Sequence, residues 1–163
     1  MSMGIDPSLT RTALAALSTD GTHRSHRVIQ TKAHGALPLR LRKLAIHAGG
    51  QVIDINPAIV IVEEPGYMAA VGNKAQAAVH RATGAILAAL PPHVRVEIVS
   101  VGDIRRRFGL GKPGTKRDVL KAQVVAYLEE RGIGIPHKRR GRPDHDVADA
   151  YLAALYGIEV LDV

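Results

Sequence analysis

Four acidic residues lie next to apolar segments, where a carboxylate is locally unfavourable, and they are the first candidates for chemistry. Asp6 ends a short apolar segment at the N-terminus, and Glu63 directly follows five apolar residues. Asp146 and Asp149 are three residues apart, which places them on one side of a helix, and an apolar stretch follows Asp149. Carboxylates in such positions destabilise the fold unless a cation compensates their charge.

A divalent metal ion would compensate these charges. The chain has no cysteine, so any metal ligand must be an oxygen or an imidazole. Carboxylate oxygens favour Mg²⁺, with Mn²⁺ as a substitute. Two such ions can activate water and stabilise the leaving oxygen in phosphodiester hydrolysis. The predicted catalytic and metal-binding acids are Asp6, Glu63, Asp146 and Asp149.

Each acid also has an ordinary structural interpretation. Asp6 could form an Asp-Pro turn, and Glu63 could be a loop charge. Asp146 could belong to the first turn of its helix, where acids are common. Asp149 lies inside the helix, where the main alternative is an ion pair with an arginine. Three neighbouring residues are weaker candidates for metal ligands: Glu64, Asp144 and His145.

The chain is basic, with a formal net charge of +7 and a pI near 10.1. Its basic residues concentrate in two clusters, which favours a polyanionic partner and phosphate contacts. A solvated face, an import-like tract or a contact with an acidic membrane would have the same charge pattern. The predicted DNA-binding clusters are Arg105, Arg106, Arg107, Lys112, Lys116 and Arg117, and then Lys138, Arg139, Arg140 and Arg142.

The 163 residues fit one domain, and their hydrophobic periodicity predicts the elements that position the acids. Strands alternate with helices after an initial strand hairpin. This order predicts an α/β fold, a mixed sheet of antiparallel N-terminal strands and then parallel strands, with helices on both faces. The predicted strands are 3–6, 12–17, 26–31, 58–62 and 94–101, and the predicted helices are 37–48, ended by Gly49-Gly50, then 73–90, 116–131 and 144–156.

Four motifs, in order along nearly the whole chain, resemble those of the RuvC-like Holliday junction resolvases in the ribonuclease H superfamily. Residues 4–7 (GIDP) resemble the opening strand and first catalytic aspartate, and residues 59–63 (IVIVE) the central strand and glutamate. Residues 146–150 (DVADA) resemble the closing acidic pair, and residues 111–119 the segment before the penultimate helix. The chain departs from the family pattern at Ser8, where a glycine is usual.

The resemblance implies an endonuclease that uses two Mg²⁺ ions and resolves four-way DNA junctions by symmetric nicking. It implies a homodimer, for which the alanine-rich face of helix 73–90 is the predicted surface. It also assigns Lys116 to the active site and DNA, and Tyr67 to the aromatic role in opening the junction. An ordinary half-buried tyrosine is the alternative for Tyr67.

Other functions on the same fold stay open. A broader branched-DNA or flap nuclease, a ribonuclease H or an exonuclease would differ in substrate choice. A non-catalytic nucleic-acid-binding module is disfavoured, because a binder gains nothing from carboxylates that face phosphates. No apolar run is long enough to span a bilayer, and the N-terminus lacks a signal-peptide pattern. We therefore expect a soluble, cytoplasmic protein that does not bind membranes.

Overall fold

A computed structural model of the chain describes residues 1–20, 24–64, 73–112, 114–138 and 141–161. The strands are β1 (Ser2–Asp6), β2 (Arg11–Leu17), β3 (Arg24–Gln30), β4 (Ile59–Glu64) and β5 (Arg95–Ser100). They form one sheet in the order β3-β2-β1-β4-β5. The pairs β3-β2 and β2-β1 are antiparallel, whereas β1-β4 and β4-β5 are parallel. The predicted mixed α/β sheet is confirmed.

The helices pack on both faces of this sheet. They are α1 (Leu37–Ile55), α2 (Asn73–Leu87), α3 (Val101–Arg107), α4 (Arg117–Glu130) and α5 (His145–Leu161). Because side chains alternate across a strand, Val60 and Val62 of β4 pack with α1 and α2. Ile59 and Ile61 pack on the other face with α3, α4 and α5. No helix in the described ranges is long and apolar enough to cross a bilayer.

Helix α5 lies directly on β1 because small residues face each other. A side chain at Gly4 would collide with the backbone of Ala150 and Ala154 and with the Ala153 methyl group. All three alanines are fully buried. Only glycine on the strand, opposite alanines on the helix, allows this close approach. The N-terminal turns of α5 are thereby brought to the end of β1, where Asp6 lies.

The register of the parallel pair brings Asp6 and Glu63 together. Ile5 is paired with Val62 in the β1-β4 ladder, and the next residue of each strand is one of the two acids. Paired residues on neighbouring strands point to the same face of a sheet. Asp6 and Glu63 therefore share the face that α5 covers.

Several boundaries differ from the predicted elements, and the last helix continues to Leu161 instead of ending at 156. The prediction that Gly49-Gly50 ends the first helix is wrong, because α1 continues to Ile55 and ends at Asn56, which has φ 48°. Gly49 is packed against α2's C-terminal region, where a Cβ atom would lie 2.6 Å from the Ala89 carbonyl oxygen. Tertiary packing therefore overrides the low helix propensity of glycine. Helix α3 was not predicted, and Ser100 caps it by accepting a hydrogen bond from the Asp103 N–H (3.1 Å).

Candidate active site

The four acids predicted to do chemistry line one cavity of about 440 Å³. Asp6 is the last residue of β1, and Glu63 lies near the end of the adjacent strand β4. Asp146 and Asp149 come from the first two turns of α5. Three elements that are distant in sequence thus place four carboxylates around one space. Glu64, the neighbour of Glu63, is exposed and does not line the cavity.

Burial and mutual repulsion disfavour negative charge on Asp6, Glu63 and Asp149. Burial raises the pKa of Asp6 well above its usual value, and Glu63, Asp149 and Asp146 raise it further. Burial, and then the charge of Asp149, raise the pKa of Glu63 to about 8, against the opposing effect of Arg105. Burial also raises the pKa of Asp149. A bound cation would relieve the repulsion among these carboxylates.

An arginine from α3 partly compensates the charge of these acids. Arg105 Nη2 donates to Asp149 Oδ1 at 3.0 Å, and the two side chains are only 16% and 13% exposed. This contact is the ion pair with an arginine that the sequence left open for Asp149. Arg105 also lines the cavity, and its buried Nε has no hydrogen-bond partner within the described residues. A cluster residue predicted to contact DNA thus reaches the acids themselves.

Asp146 is held by cations from outside the cavity. Arg11 Nη1 donates to Asp146 Oδ2 at 2.8 Å, and Lys138 Nζ lies 3.0 Å from the same oxygen. Arg11 also pairs with Asp144, which is buried and lies 3.3 Å from Lys138. Asp144 does not line the cavity. Its Oδ1 lies 3.5 Å from the Val147 N–H, near the limit for a helix-capping contact.

The donor chemistry of the cavity fits Mg²⁺, although the side chains are not arranged around an ion. Among the residues that the structure describes, no three carboxylate or imidazole groups are close enough together to hold a metal. Hard carboxylate oxygens from four residues nevertheless line the cavity, and Asp146 Oδ1 and Asp149 Oδ2 accept no hydrogen bond from a described residue. Asp6, Glu63, Asp146 and Asp149 are the residues that would hold a divalent ion.

The basic residues of the cavity differ in part from the sequence expectation. Lys116 is exposed at the start of α4 and does not line the cavity, whereas Arg117 and Lys121 do. The charge of Lys121 lowers the pKa of Asp6 and of Asp149, so this ammonium group lies near both acids. Sequence reasoning did not single out Lys121. The four-residue spacing from Arg117, which places both on one side of α4, was the available signal.

The remaining predicted residues lie around the cavity or outside the described part of the chain. Arg106 and Arg107 are exposed and form ion pairs with Asp103 and Glu159. His145 does not line the cavity, and its buried Nδ1 has no hydrogen-bond partner among the described residues. Lys112 and Arg142 are exposed. Three predicted DNA-binding residues lie outside the described ranges: Tyr67, Arg139 and Arg140.

The sheet order and the helices on its two faces match the fold of solved RuvC structures. Thermus thermophilus RuvC is similar with a TM-score of 0.68 at 22% identity, over 98% of this chain and 95% of that chain. T. thermophilus RuvC in complex with a Holliday junction substrate gives 0.67 at 19% identity, over 98% and 94%. The yeast mitochondrial Holliday junction resolvase gives 0.57 at 12% identity, over 96% and 78%.

The fold expected from the RuvC resemblance is thus confirmed. Sequence identities of 12–22% establish a shared fold and leave activity to be argued from the site. No protein-family model matches the chain, and no curated protein matches it.

Proposed function

We propose that this protein is a divalent-metal-dependent endonuclease that cuts branched DNA, with the four-way junction as its substrate. The observation that carries the proposal is the lining of one cavity by four carboxylates together with Arg105, Arg117 and Lys121. Carboxylates alone would repel a phosphodiester. Carboxylates that hold a cation, beside basic side chains that bind phosphate oxygens, are suited to its hydrolysis.

Mg²⁺, when bound by the acids, supplies Lewis-acid activation of water and charge stabilisation at the leaving 3′-oxygen; two ions and replacement by Mn²⁺ are part of the proposal. Asp6 and Glu63 are held in register by two adjacent parallel strands, so their relative position changes little. Asp146 and Asp149 are fixed by the docking of α5 on β1. The fold thus fixes the backbone positions of the donor residues before substrate binds.

The basic side chains of the cavity bind and orient the DNA backbone in this proposal. Lys121 lines the cavity near Asp6 and Asp149, so its ammonium group can meet a phosphate oxygen once a cation compensates these acids. Arg117 lies one turn before it and extends the same basic wall. Lys112, Lys116 and Arg142 are exposed and would add phosphate contacts outside the cavity. Phosphate contacts of this kind position the duplex and carry no sequence information.

The choice of a junction substrate rests on similarity of fold. A T. thermophilus RuvC structure that covers 98% of this chain contains a Holliday junction substrate. A homodimer belongs to the same proposal, because two related cavities would act on opposed strands of a two-fold symmetric junction. The predicted dimer surface is the alanine-rich face of helix 73–90, which is α2. Among the described residues of α1 and α2, the large exposed apolar side chains lie on α1 and not on α2. They recur every seven residues, at Leu39, Ile46 and Ile53.

Cleavage of a labelled four-way junction, beside a flap and a plain duplex, tests the proposal. We expect paired symmetric nicks in the junction that need Mg²⁺, are abolished by EDTA and are absent in Asp6→Asn. Equal cutting of flaps would broaden the function to a branched-DNA nuclease. Tight binding without cutting would contradict the enzymatic proposal and favour a nucleic-acid-binding module. Sedimentation of the protein alone and on junction DNA tests the homodimer.

A further inference from the structure

Arg11 joins two carboxylates through the two nitrogens of its guanidinium group. Nη1 donates to Asp146 Oδ2 at 2.8 Å, and Nη2 donates to Asp144 Oδ2. Arg11 is the first residue of β2, and the acids flank the start of α5, so the contact joins segments that are more than 130 residues apart. The planar guanidinium holds its donors at a fixed spacing, which favours one relative placement of the two carboxylates.

Asp144 is a fixed anchor for this contact. Its side chain is only 7% exposed, and it does not line the cavity. Its backbone N–H donates to the Pro136 carbonyl oxygen at 2.8 Å, and its own carbonyl oxygen accepts from the Ala148 N–H at 3.0 Å. A buried carboxylate is costly without a compensating cation. Asp144 therefore acts on the site through the cations that it pairs with, Arg11 and Lys138. Arg11 is the less exposed of the two, at 23% against 39%.

The two oxygens of Asp146 have different surroundings as a result. Oδ2 accepts from Arg11 and from Lys138, whereas Oδ1 accepts no hydrogen bond from any residue that the structure describes. Asp146 also lines the cavity that holds the other three acids. One oxygen is thus anchored by protein donors, and the other is available to a ligand in the cavity.

We propose that Arg11 is a positioning residue that couples buried Asp144 to Asp146 and keeps Asp146 Oδ1 available to a metal ion in the cavity. The inference rests on the proposed function, because it requires that the four acids bind a divalent cation. It goes beyond that function because it assigns the orientation of the ligand Asp146 to Arg11, which does not line the cavity. Mutation of a residue that orients a metal ligand typically lowers metal affinity roughly 10- to 100-fold.

Mn²⁺ binding to the full chain without DNA, measured by calorimetry or by the electron paramagnetic resonance signal of free Mn²⁺, tests the proposal. Arg11→Gln and Asp144→Asn should each weaken Mn²⁺ binding roughly 10-fold or more. The double variant should bind no more weakly than the worse single variant, because both changes remove the same coupling. Arg11→Lys keeps the charge but not the fork, so it should restore only part of the affinity.

The matched control is Arg95→Gln. Arg95 is also a strand arginine in an ion pair, but its partner is Glu97, and neither residue lines the cavity. Its Mn²⁺ affinity should equal that of the wild type. Circular dichroism melts establish which variants fold, and Asp144→Asn together with Arg11→Lys keeps the test available if Arg11→Gln does not fold.

Either of two results would overturn the inference. Unchanged Mn²⁺ affinity in folded Arg11→Gln would mean that the contact does not position Asp146. Tighter binding would mean that Arg11 competes with the metal for Asp146, since removal of a nearby positive charge favours a cation. Failure of the wild-type chain and of Arg95→Gln to bind Mn²⁺ would overturn the metal-dependent function itself, a pattern distinct from a loss confined to the Arg11 and Asp144 variants.

Discussion

Arg105 Nη2 lies 3.0 Å from Asp149 Oδ1 within the cavity that Asp6, Glu63 and Asp146 also line. A buried carboxylate next to other carboxylates needs a nearby positive charge, and α3 supplies it. Arg105 lowers the pKa of both Asp149 and Glu63. In the proposed function, the same guanidinium group would contact a phosphate oxygen once a metal ion compensates the acids.

Arg105→Gln should therefore destabilise the metal-free protein by roughly 1–3 kcal/mol, because Asp149 loses its charged partner inside the protein. Urea unfolding at pH 7 in EDTA measures this change. The control is Arg106→Gln, whose ion pair with Asp103 is exposed and contributes little. Equal losses of unfolding free energy in the two variants would mean that burial does not make the Arg105–Asp149 pair more stabilising than the exposed Arg106–Asp103 pair.

The raised pKa of Glu63 predicts the direction of a pH effect on stability. The folded state binds the proton with a pKa of about 8, compared with 4.5 for an ordinary glutamate. Folding therefore favours the protonated form, and its stabilising effect is complete below pH 4.5 and is lost as pH rises toward 8. In EDTA between pH 4.5 and about pH 8, the unfolding free energy of the wild type should fall more than that of Glu63→Gln as the pH rises.

Thermal and urea unfolding of both proteins between pH 4 and pH 9 measure this difference. Comparison with the variant removes the contribution of other titrating groups that the two proteins share. Mg²⁺ should reduce the loss in the wild type at pH 7–8, since a bound cation favours ionised carboxylates. A wild type that gains stability relative to Glu63→Gln from pH 5 to pH 8 would contradict the raised pKa.

The acids were predictable from sequence, whereas most of their cationic partners were not. Asp6 and Glu63 stand out because each directly follows an apolar run, a pattern that is visible locally. Arg11 touches Asp146 across 135 residues, and only the docking of α5 on the sheet brings them together. The same limit applies to Gly49, whose packing against α2's C-terminal region overrides its local preference for ending a helix.

Two lysines of the same basic segment differ in position, because Lys121 faces the cavity and Lys116 is exposed outside it. Lys121 lines the cavity, so Lys121→Met should lower single-turnover junction cleavage on the order of 100-fold at saturating DNA, through loss of charge stabilisation at the phosphate. Lys116→Met should leave that rate nearly unchanged and weaken binding, with a salt slope smaller by about one.

Cleavage and binding must be measured separately for the two lysine variants, the first with Mg²⁺ and the second in EDTA across a range of salt concentrations. Lys121→Arg keeps the positive charge and should recover part of the cleavage rate. A larger loss of cleavage in Lys116→Met than in Lys121→Met would reverse the assignment and return the role to the residue that the family resemblance indicated.

Asp149→Asn should abolish cleavage while junction binding is kept or improved. The substitution removes a carboxylate that would hold the metal, and it also removes a negative charge that repels phosphates. Arg105 would then lose its ion pair with Asp149, and its guanidinium group could contact DNA instead. Fluorescence anisotropy with a labelled four-way junction in EDTA gives the affinity, and gel analysis with Mg²⁺ gives the cleavage. Full cutting by this variant would remove Asp149 from the site, and greatly weakened binding would show that its structural pairing with Arg105 matters more than its charge.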